Sequence, residues 1–348
     1  MNDFFLDYRD PLFGMIVIIL TIFVISFLTY SFGLFKERKA RQEYRKLLKR
    51  FEIGTLKEDD FVHLYSTYNL PFDSIVLLAS TFLHKGNYTK AISVYLALLE
   101  VVDENVKKEE LLELLGAAYF KGGFLQRSKD IYLKILEFSP RNKNALNALL
   151  VIYQKLNEYE RSSEILNVLD ELDCDMSLEK VYVNTLKVIS DPLLSFENKS
   201  DELIRLFKKN KAIEKLVVQF LLKYNKQLFW SNCDKFNIVN SFDLLWHLDF
   251  NDVNFEIVNN HKLLEDLYTA KGYIDTSNTS EIFELSVLIS TKKSTSKVDV
   301  DLTFEFICSK CKRTHPMYES RCSHCQSILT SVVEPKLAKK SLSMVSFL

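Results

Sequence analysis

Residues 111–140 read LLELLGAAYFKGGFLQRSKDIYLKILEFSP, and the spacing of their apolar positions predicts two helices folded back on each other. Leu112, Leu115, Gly116 and Tyr119 recur at the 3.6-residue period of one helix face, and Leu125, Ser128, Tyr132 and Ile135 do so on a second. Gly123 stands between the two faces and Pro140 closes the second. The order large, large, small, aromatic, turn, then small, aromatic, large occurs twice more. It begins 37 residues earlier at Ile75, Leu78, Ala79, Phe82, Gly86, Ala91, Tyr95 and Leu98. It begins again 34 residues later at Leu146, Leu149, Leu150, Tyr153, Asn157, Ser162, Leu166 and Leu169. A period near 34 with this residue order is the tetratricopeptide pattern of paired antiparallel helices.

Each residue type has a physical reason. Gly116 and Ala79 fall on the first helix of a pair, where a larger side chain would hold the second helix away, and Ala91 and Ser128 supply the facing small surface. Gly86 and Gly123 fall at the turn, which favours a residue that tolerates a left-handed conformation. Pro140 and Asn144 fit the end of one unit and the start of the next. The recurring aromatics and leucines are core. Candidate protein-binding residues lie between them on the first-helix face: Thr81, His84, Lys85, Glu113, Lys121 and Gln154, with His84 also readable as ordinary surface. Upstream, 37–70 reads as helical but irregular, with Thr55 and Glu58 at capping-box spacing. Downstream, 176–290 reads as degenerate repeats, each a helix of about three turns, with boundaries expected at Ser200–Glu202 and Thr279–Glu281. Trp230 and Trp246 are expected in the core, and the lone Cys174 and Cys233 as small apolar fillers.

The N-terminal part is different in kind. No Asp, Glu, Lys or Arg occurs from Pro11 to Phe35. A helix over 12–34 would be about 35 Å long, enough to cross a hydrocarbon core of about 30 Å with some tilt. The acidic front, MNDFFLDYRD, does not fit a cleaved signal peptide, which begins with a basic region. Residues 36–50, KERKARQEYRKLLKR, carry eight Lys or Arg against two Glu, and a basic flank stays on the cytoplasmic side. The expectation is a single-pass inner-membrane protein with a periplasmic N-terminus and a cytoplasmic body. The basic stretch is expected to meet anionic lipid headgroups.

Composition excludes other classes. With 47% hydrophobic and 26% charged residues, the 348-residue chain can bury a large core. Its 8 Gly and 6 Pro leave long elements little interrupted, and a formal charge of -1 gives no case for a nucleic-acid partner. No Walker-type loop, G-x-S-x-G or H-E-x-x-H motif is present, so no enzyme activity is expected.

The C-terminal stretch holds Cys308 and Cys311 as one CxxC and Cys322 and Cys325 as another, ten residues apart. Two such loops facing each other give a tetrahedral four-sulfur site, for which zinc is the expected metal and iron the alternative. A module of that size has too little core to fold without its metal. Such a closed site is structural, because it leaves no position for water or substrate. Four sulfurs leave no need for His315 or His324 as ligands. The paired thiols also require a reducing compartment, which agrees with a cytoplasmic body. Short strands are expected at Thr303–Ile307 and Leu329–Val333.

An apolar N-terminal span, tetratricopeptide repeats and two CxxC pairs ten residues apart near the end together resemble the LapB (YciM) family of bacterial inner-membrane proteins. The resemblance implies a rubredoxin-like zinc knuckle that packs on the repeats, with Cys308, Cys311, Cys322 and Cys325 as ligands. It implies an adaptor that presents a lipid A biosynthetic deacetylase to the membrane protease FtsH and so tunes lipopolysaccharide synthesis. The family tends to have Gly after the second cysteine, Pro after the third and Trp three residues past the fourth; here those places hold Lys312, Ser323 and Ile328. The same architecture also suits a chaperone or assembly factor for a flagellar or secretion machine, and self-association is compatible with it.

The expected fold is thus an all-α tetratricopeptide-repeat solenoid with one N-terminal transmembrane helix and a small C-terminal rubredoxin-like zinc ribbon. Its expected order is a periplasmic segment 1–11, the span 12–34, a basic juxtamembrane region 35–70, three repeats over 71–175 and degenerate repeats over 176–290. A linker over 291–302, the knuckle over 303–335 and a polar tail over 336–348 complete it.

Overall fold

The computed structural model describes residues 11–53, 56–67, 71–293 and 300–339. Two compact units are distinguished, one up to Pro140 and one from Arg141 onward.

The first unit begins with α1 (Pro11–Ile53), a single helix of 43 residues. Among the described residues it is the one helix long and apolar enough to cross a membrane, over Met15–Leu47, with a mean hydropathy of 2.5 and none of its most apolar window buried. By length and composition it fits a membrane-spanning or signal segment. The span expected over 12–34 and the start of the juxtamembrane region form one helix. The Lys- and Arg-rich stretch continues the same helix, because it contains no Gly, Pro or capping residue to stop it. α2 (Glu58–Ser66) follows, and the Asp60 carboxylate accepts the Lys57 N–H at 3.0 Å. That puts the reach-back carboxylate at Asp60 rather than at Glu58; Thr55, expected as the cap, lies outside the described residues.

Two helical hairpins complete this unit: α3 (Phe72–His84) with α4 (Tyr88–Val101), and α5 (Asn105–Lys121) with α6 (Leu125–Phe138). Ile75, Ala79, Ala91, Tyr95, Leu98 and Leu115 are fully buried, as the periodicity requires. Gly86 and Gly123 sit at φ +77° and +80°. Past them the N–H of Asn87 bonds to Phe82 O, and that of Phe124 to Tyr119 O, both at 2.9 Å, closing each first helix in the same way. Gly116 fills the place that the pattern assigns to a small residue. A Cβ there would meet the Tyr132 ring at 2.8 Å, while Ser128 Oγ donates to Gly116 O at 2.8 Å.

The second unit starts with two more hairpins, α7 (Lys143–Lys155) with α8 (Tyr159–Glu171), and α9 (Ser177–Ser190) with α10 (Phe196–Lys209). The α7–α8 turn repeats the glycine geometry with Asn157 at φ +59°, a residue that tolerates this region. Asn142, not Asn144, caps α7, accepting the Ala145 N–H at 2.9 Å. Ser195 caps α10, so the boundary expected at Ser200–Glu202 moves upstream, and Ser200 is buried inside the helix.

Beyond α11 (Glu214–Tyr224) the expected series of three-turn helices gives way to short pieces: α12 (Lys226–Ser231), α13 (Phe242–Trp246) and α14 (Phe255–Val258), with two 3-10 turns between the first pair and one between the second. Asparagine causes much of this. Asn225, Asn237 and Asn254 each accept a backbone N–H two or three residues on, which starts a new turn and ends the previous one. The pieces wrap an aromatic core of Phe207, Phe229, Trp230, Phe242, Trp246 and Tyr268, so both tryptophans are buried. α15 (Lys262–Lys271) and α16 (Phe283–Lys293) close this region.

The two short strands expected beside the cysteines are present and longer than expected, in a three-stranded antiparallel sheet of order β2-β1-β3. β1 (Val300–Cys308) and β3 (Ser331–Lys339) pair in register from Val300↔Lys339 to Cys308↔Ser331. β2 (Thr314–His315) pairs on the other edge of β1. The ladder absorbs residues expected in the linker and in the polar tail; the rest of the tail, from 340, lies outside the described residues. Leu302 of β1 is buried in the aromatic core.

Gly116→Ala should destabilise the first unit by about 1–3 kcal/mol through overpacking against Tyr132, measured by denaturant unfolding of the purified chain. Unchanged stability would show that the small residue there is incidental.

Candidate metal centre

Two turns of one kind build the site. In the first, Lys312 N–H bonds to Cys308 O at 2.8 Å and Cys308 N–H to Arg313 O at 3.0 Å. In the second, Gln326 N–H bonds to Cys322 O and Cys322 N–H to Ser327 O, both at 2.9 Å. Each turn reverses at the residue after its second cysteine, with Lys312 and Gln326 both at φ +60°. That backbone favours glycine, and here a lysine and a glutamine adopt it.

The four sulfurs converge, all lying within 4.8 Å of one another. Cys308 Sγ is 3.7 Å from Cys325 Sγ, and Cys311 Sγ is 3.7 Å from Cys322 Sγ. A disulfide requires about 2.05 Å. A tetrahedral centre with metal–sulfur bonds of about 2.3 Å puts its sulfurs about 3.8 Å apart. The cluster fits a metal and not a pair of disulfides. A donor set of four thiols is one that zinc takes in structural sites.

Neighbouring dipoles favour the thiolate form at Cys308 and Cys325, while Cys311 is raised to about 11, because the Arg313 N–H is outweighed by desolvation and by its bonds to the other three sulfurs. The Cys311 N–H and then the Thr330 hydroxyl, 3.3 Å from the sulfur, pull the Cys308 thiol down to about 5. The Ser327 hydroxyl, 2.7 Å away, lowers Cys325. His315 stays outside the sulfur set: its Nε2 lies 3.4 Å from Cys322 Sγ, where an N–H can support a charged sulfur. His324 is exposed.

The ten residues between the CxxC pairs dock on the helices. Arg321 enters between α7 and α9. Its Nη2 is 2.6 Å from Glu179 Oε2 and 2.7 Å from Gln154 Oε1, its Nε donates to the same Gln154 oxygen at 3.1 Å, and its Nη1 to Gln326 O at 2.6 Å. The guanidinium also lies over the Tyr182 ring, whose hydroxyl is 2.9 Å from Ser320 Oγ. Tyr318 reaches the buried pair of Lys215 and Asp243, with Lys215 Nζ 5.3 Å from its ring centre. Burial lowers the pKa of Lys215, and Asp243 and Asn240 O, at 2.8 Å, hold its charge in place.

The candidate binding residues separate on this basis. Thr81, His84, Lys85 and Lys121 are exposed and Glu113 is half-buried, all in the first unit. Gln154, expected at a ligand-facing surface, is only 7% exposed, because Arg321 covers it. Glu179, Tyr182, Tyr318, Ser320 and Arg321 were not singled out by the sequence. They lie outside any motif, and only their convergence gives them a role. Cys233 is buried and its thiol pushed up to about 12 by burial, in keeping with a core filler, whereas Cys174 is half-buried.

No protein-family model matches the chain, and no curated protein matches it. Among solved structures, MamA MSR-1 C2 is similar at 19% identity and a TM-score of 0.29, over 45% of this chain and 83% of that one. BtubC (BKLC) from P. vanneervenii is similar at 17% and 0.31, over 71% and 96%. A kinesin light chain structure from Podosopora anserina with TPR-like repeats is similar at 14% and 0.25, over 64% and 97%. At such scores these likenesses carry no argument, and the repeat assignment rests on the hairpin geometry above.

One metal per chain is expected on elemental analysis of the purified protein. Chelation, or Cys308→Ser with Cys311→Ser, should unfold the cysteine module while the helical circular dichroism persists. Asp243→Asn should cost about 3–5 kcal/mol by leaving the Lys215 charge buried without its partner; denaturant unfolding would measure it, and a loss under about 1 kcal/mol would mean that the pair is solvated.

Proposed function

We propose that the chain is a membrane-anchored protein-binding scaffold, acting without catalysis as an adaptor between a client and a membrane protease such as FtsH in envelope lipopolysaccharide control. The observation that carries the reading is a set of repeated helical hairpins in one chain with a 43-residue helix whose apolar part has no core to bury it. Helical hairpins of this kind present extended faces on which many weak contacts sum. A membrane tether raises the effective concentration of partners in the same bilayer.

In this reading the span over 12–34 crosses the inner membrane with the N-terminus in the periplasm, and the basic turns over 36–50 meet anionic headgroups on the cytoplasmic side. The body then lies in a reducing compartment, as a four-thiol centre requires. That centre is a structural zinc site in a rubredoxin-like knuckle, with Cys308, Cys311, Cys322 and Cys325 as ligands. The order of span, hairpins and paired CxxC turns is that of the LapB family, and it supports this choice of partners.

Crosslinking affinity capture of the full chain from membranes should enrich the protease and an enzyme of lipid A synthesis. Enrichment of secretion or flagellar components in their place would move the assignment to an assembly factor. Removing residues 1–35 should leave a soluble, folded chain whose capture of membrane partners falls sharply. Equal capture at equal abundance would refute the role of the tether.

A further inference from the structure

The face of α7 and α9 that repeat hairpins offer to ligands is occupied by a segment of this same chain. Gln154, Glu179 and Tyr182 there hold a complete guanidinium site. One amide oxygen takes two N–H groups, a carboxylate takes a charge-assisted bond at 2.6 Å, and an aromatic ring lies 5.6 Å from the guanidinium carbon. Two of the donors share one planar edge, which an arginine supplies and a lysine ammonium does not.

The segment that fills the site is held differently from the rest of its module. The sheet docks through apolar side chains: Leu302 is in the aromatic core, and Val300, Phe304 and Leu337 pack against it. The loop from 318 to 321 docks largely through polar groups, whose mutual attraction is offset by the cost of drying them. The loop is also tied at both ends to metal ligands, Cys311 and Cys322. The apolar contact is made by the sheet, while the polar one is made by the loop that the cysteines hold at both ends.

We propose that Gln154, Glu179 and Tyr182 form a binding site for an arginine side chain on an extended client segment, and that Arg321 fills it as a built-in competitor while the four thiolates hold their metal. This deepens the scaffold reading and rests on it. Loss of the metal frees the loop between the CxxC pairs and opens the site.

The test uses the full chain in detergent and a fluorescein-labelled peptide, PMYESR, copied from residues 316–321. Fluorescence anisotropy should give binding to the chelated Arg321→Ala chain about tenfold or more tighter than to the zinc-loaded wild type, a difference expected of one charge-assisted contact. Adding zinc should expel the peptide from the chelated wild-type chain, where Arg321 returns to the site, and much less from the Arg321→Ala chain. Glu179→Ala in that background, or a peptide with alanine for its arginine, should abolish binding, and a lysine peptide should bind more weakly. Equal affinity for the loaded and chelated chains, or binding indifferent to Glu179 or to the arginine, would overturn the proposal. Should the Arg321→Ala chain not fold, the chelated wild type serves: it should bind the peptide more weakly, because Arg321 competes, and release it on zinc addition. Absence of that zinc dependence would count equally against the site. Failure here with membrane capture of clients intact would refute the arginine site and leave the scaffold reading standing.

Discussion

The ten residues from Lys312 to Arg321 are tied at each end to a cysteine of the same sulfur cluster, and that constraint organises the second unit. A loop of this length has many conformations, and ordering it costs backbone entropy that its own contacts would not recover. Closing both ends on one ion, which the four sulfurs are placed to hold, would remove most of that freedom beforehand. Arg321, Ser320 and Tyr318 can then meet Gln154, Glu179, Tyr182 and Lys215 with little further ordering. The thiols, the left-handed Lys312 and Gln326, and the hydroxyls of Thr330 and Ser327 all serve that closure.

The helices beneath the loop are shaped to receive it. Repeat hairpins bury their signature residues between helices and leave the intervening positions of the first helix outward. In α7 and α9 those positions carry Gln154 and Glu179, and the loop covers them. Farther along, hairpin stacking ends because the chain changes its means of burial. Phe229, Trp230, Phe242 and Trp246 sit on short turns capped by asparagine, and together they make a rounded aromatic core that long parallel faces would not enclose. β1 and β3 then close one side of that core with Leu302 and its neighbours. The metal module thus meets the helices twice, through an apolar sheet and through a polar loop.

The long first helix belongs to a separate argument. Its most apolar window is not buried among the described residues, and exposing so many apolar side chains to water is costly, so its composition matches a membrane-spanning or signal segment. Its basic turns lengthen the helix without a break. On the scaffold reading, the span fixes where the protein searches and the hairpins fix what it can hold.

The sequence by itself determined the elements whose reason is local. The 3.6-residue period and the small residues at Ala79, Gly116 and Ser128 fixed the hairpins, because helix contact depends on which side chains share a face. Gly86, Gly123 and Asn157 marked the turns, because few other residues take positive φ without strain. The CxxC spacing named all four sulfurs. Tertiary structure alone decided the rest. The division of 225–258 into short turns combined asparagine caps with aromatic burial that outweighed helical period, and the pairing of β1 with β3, expected over 303–307 and 329–333, was lengthened into the linker and the tail by partners that sequence spacing does not show. Gln154 was legible as a ligand-facing position. That its occupant is Arg321, 167 residues away in the same chain, was not, because a long-range pairing leaves no trace in either residue's neighbours.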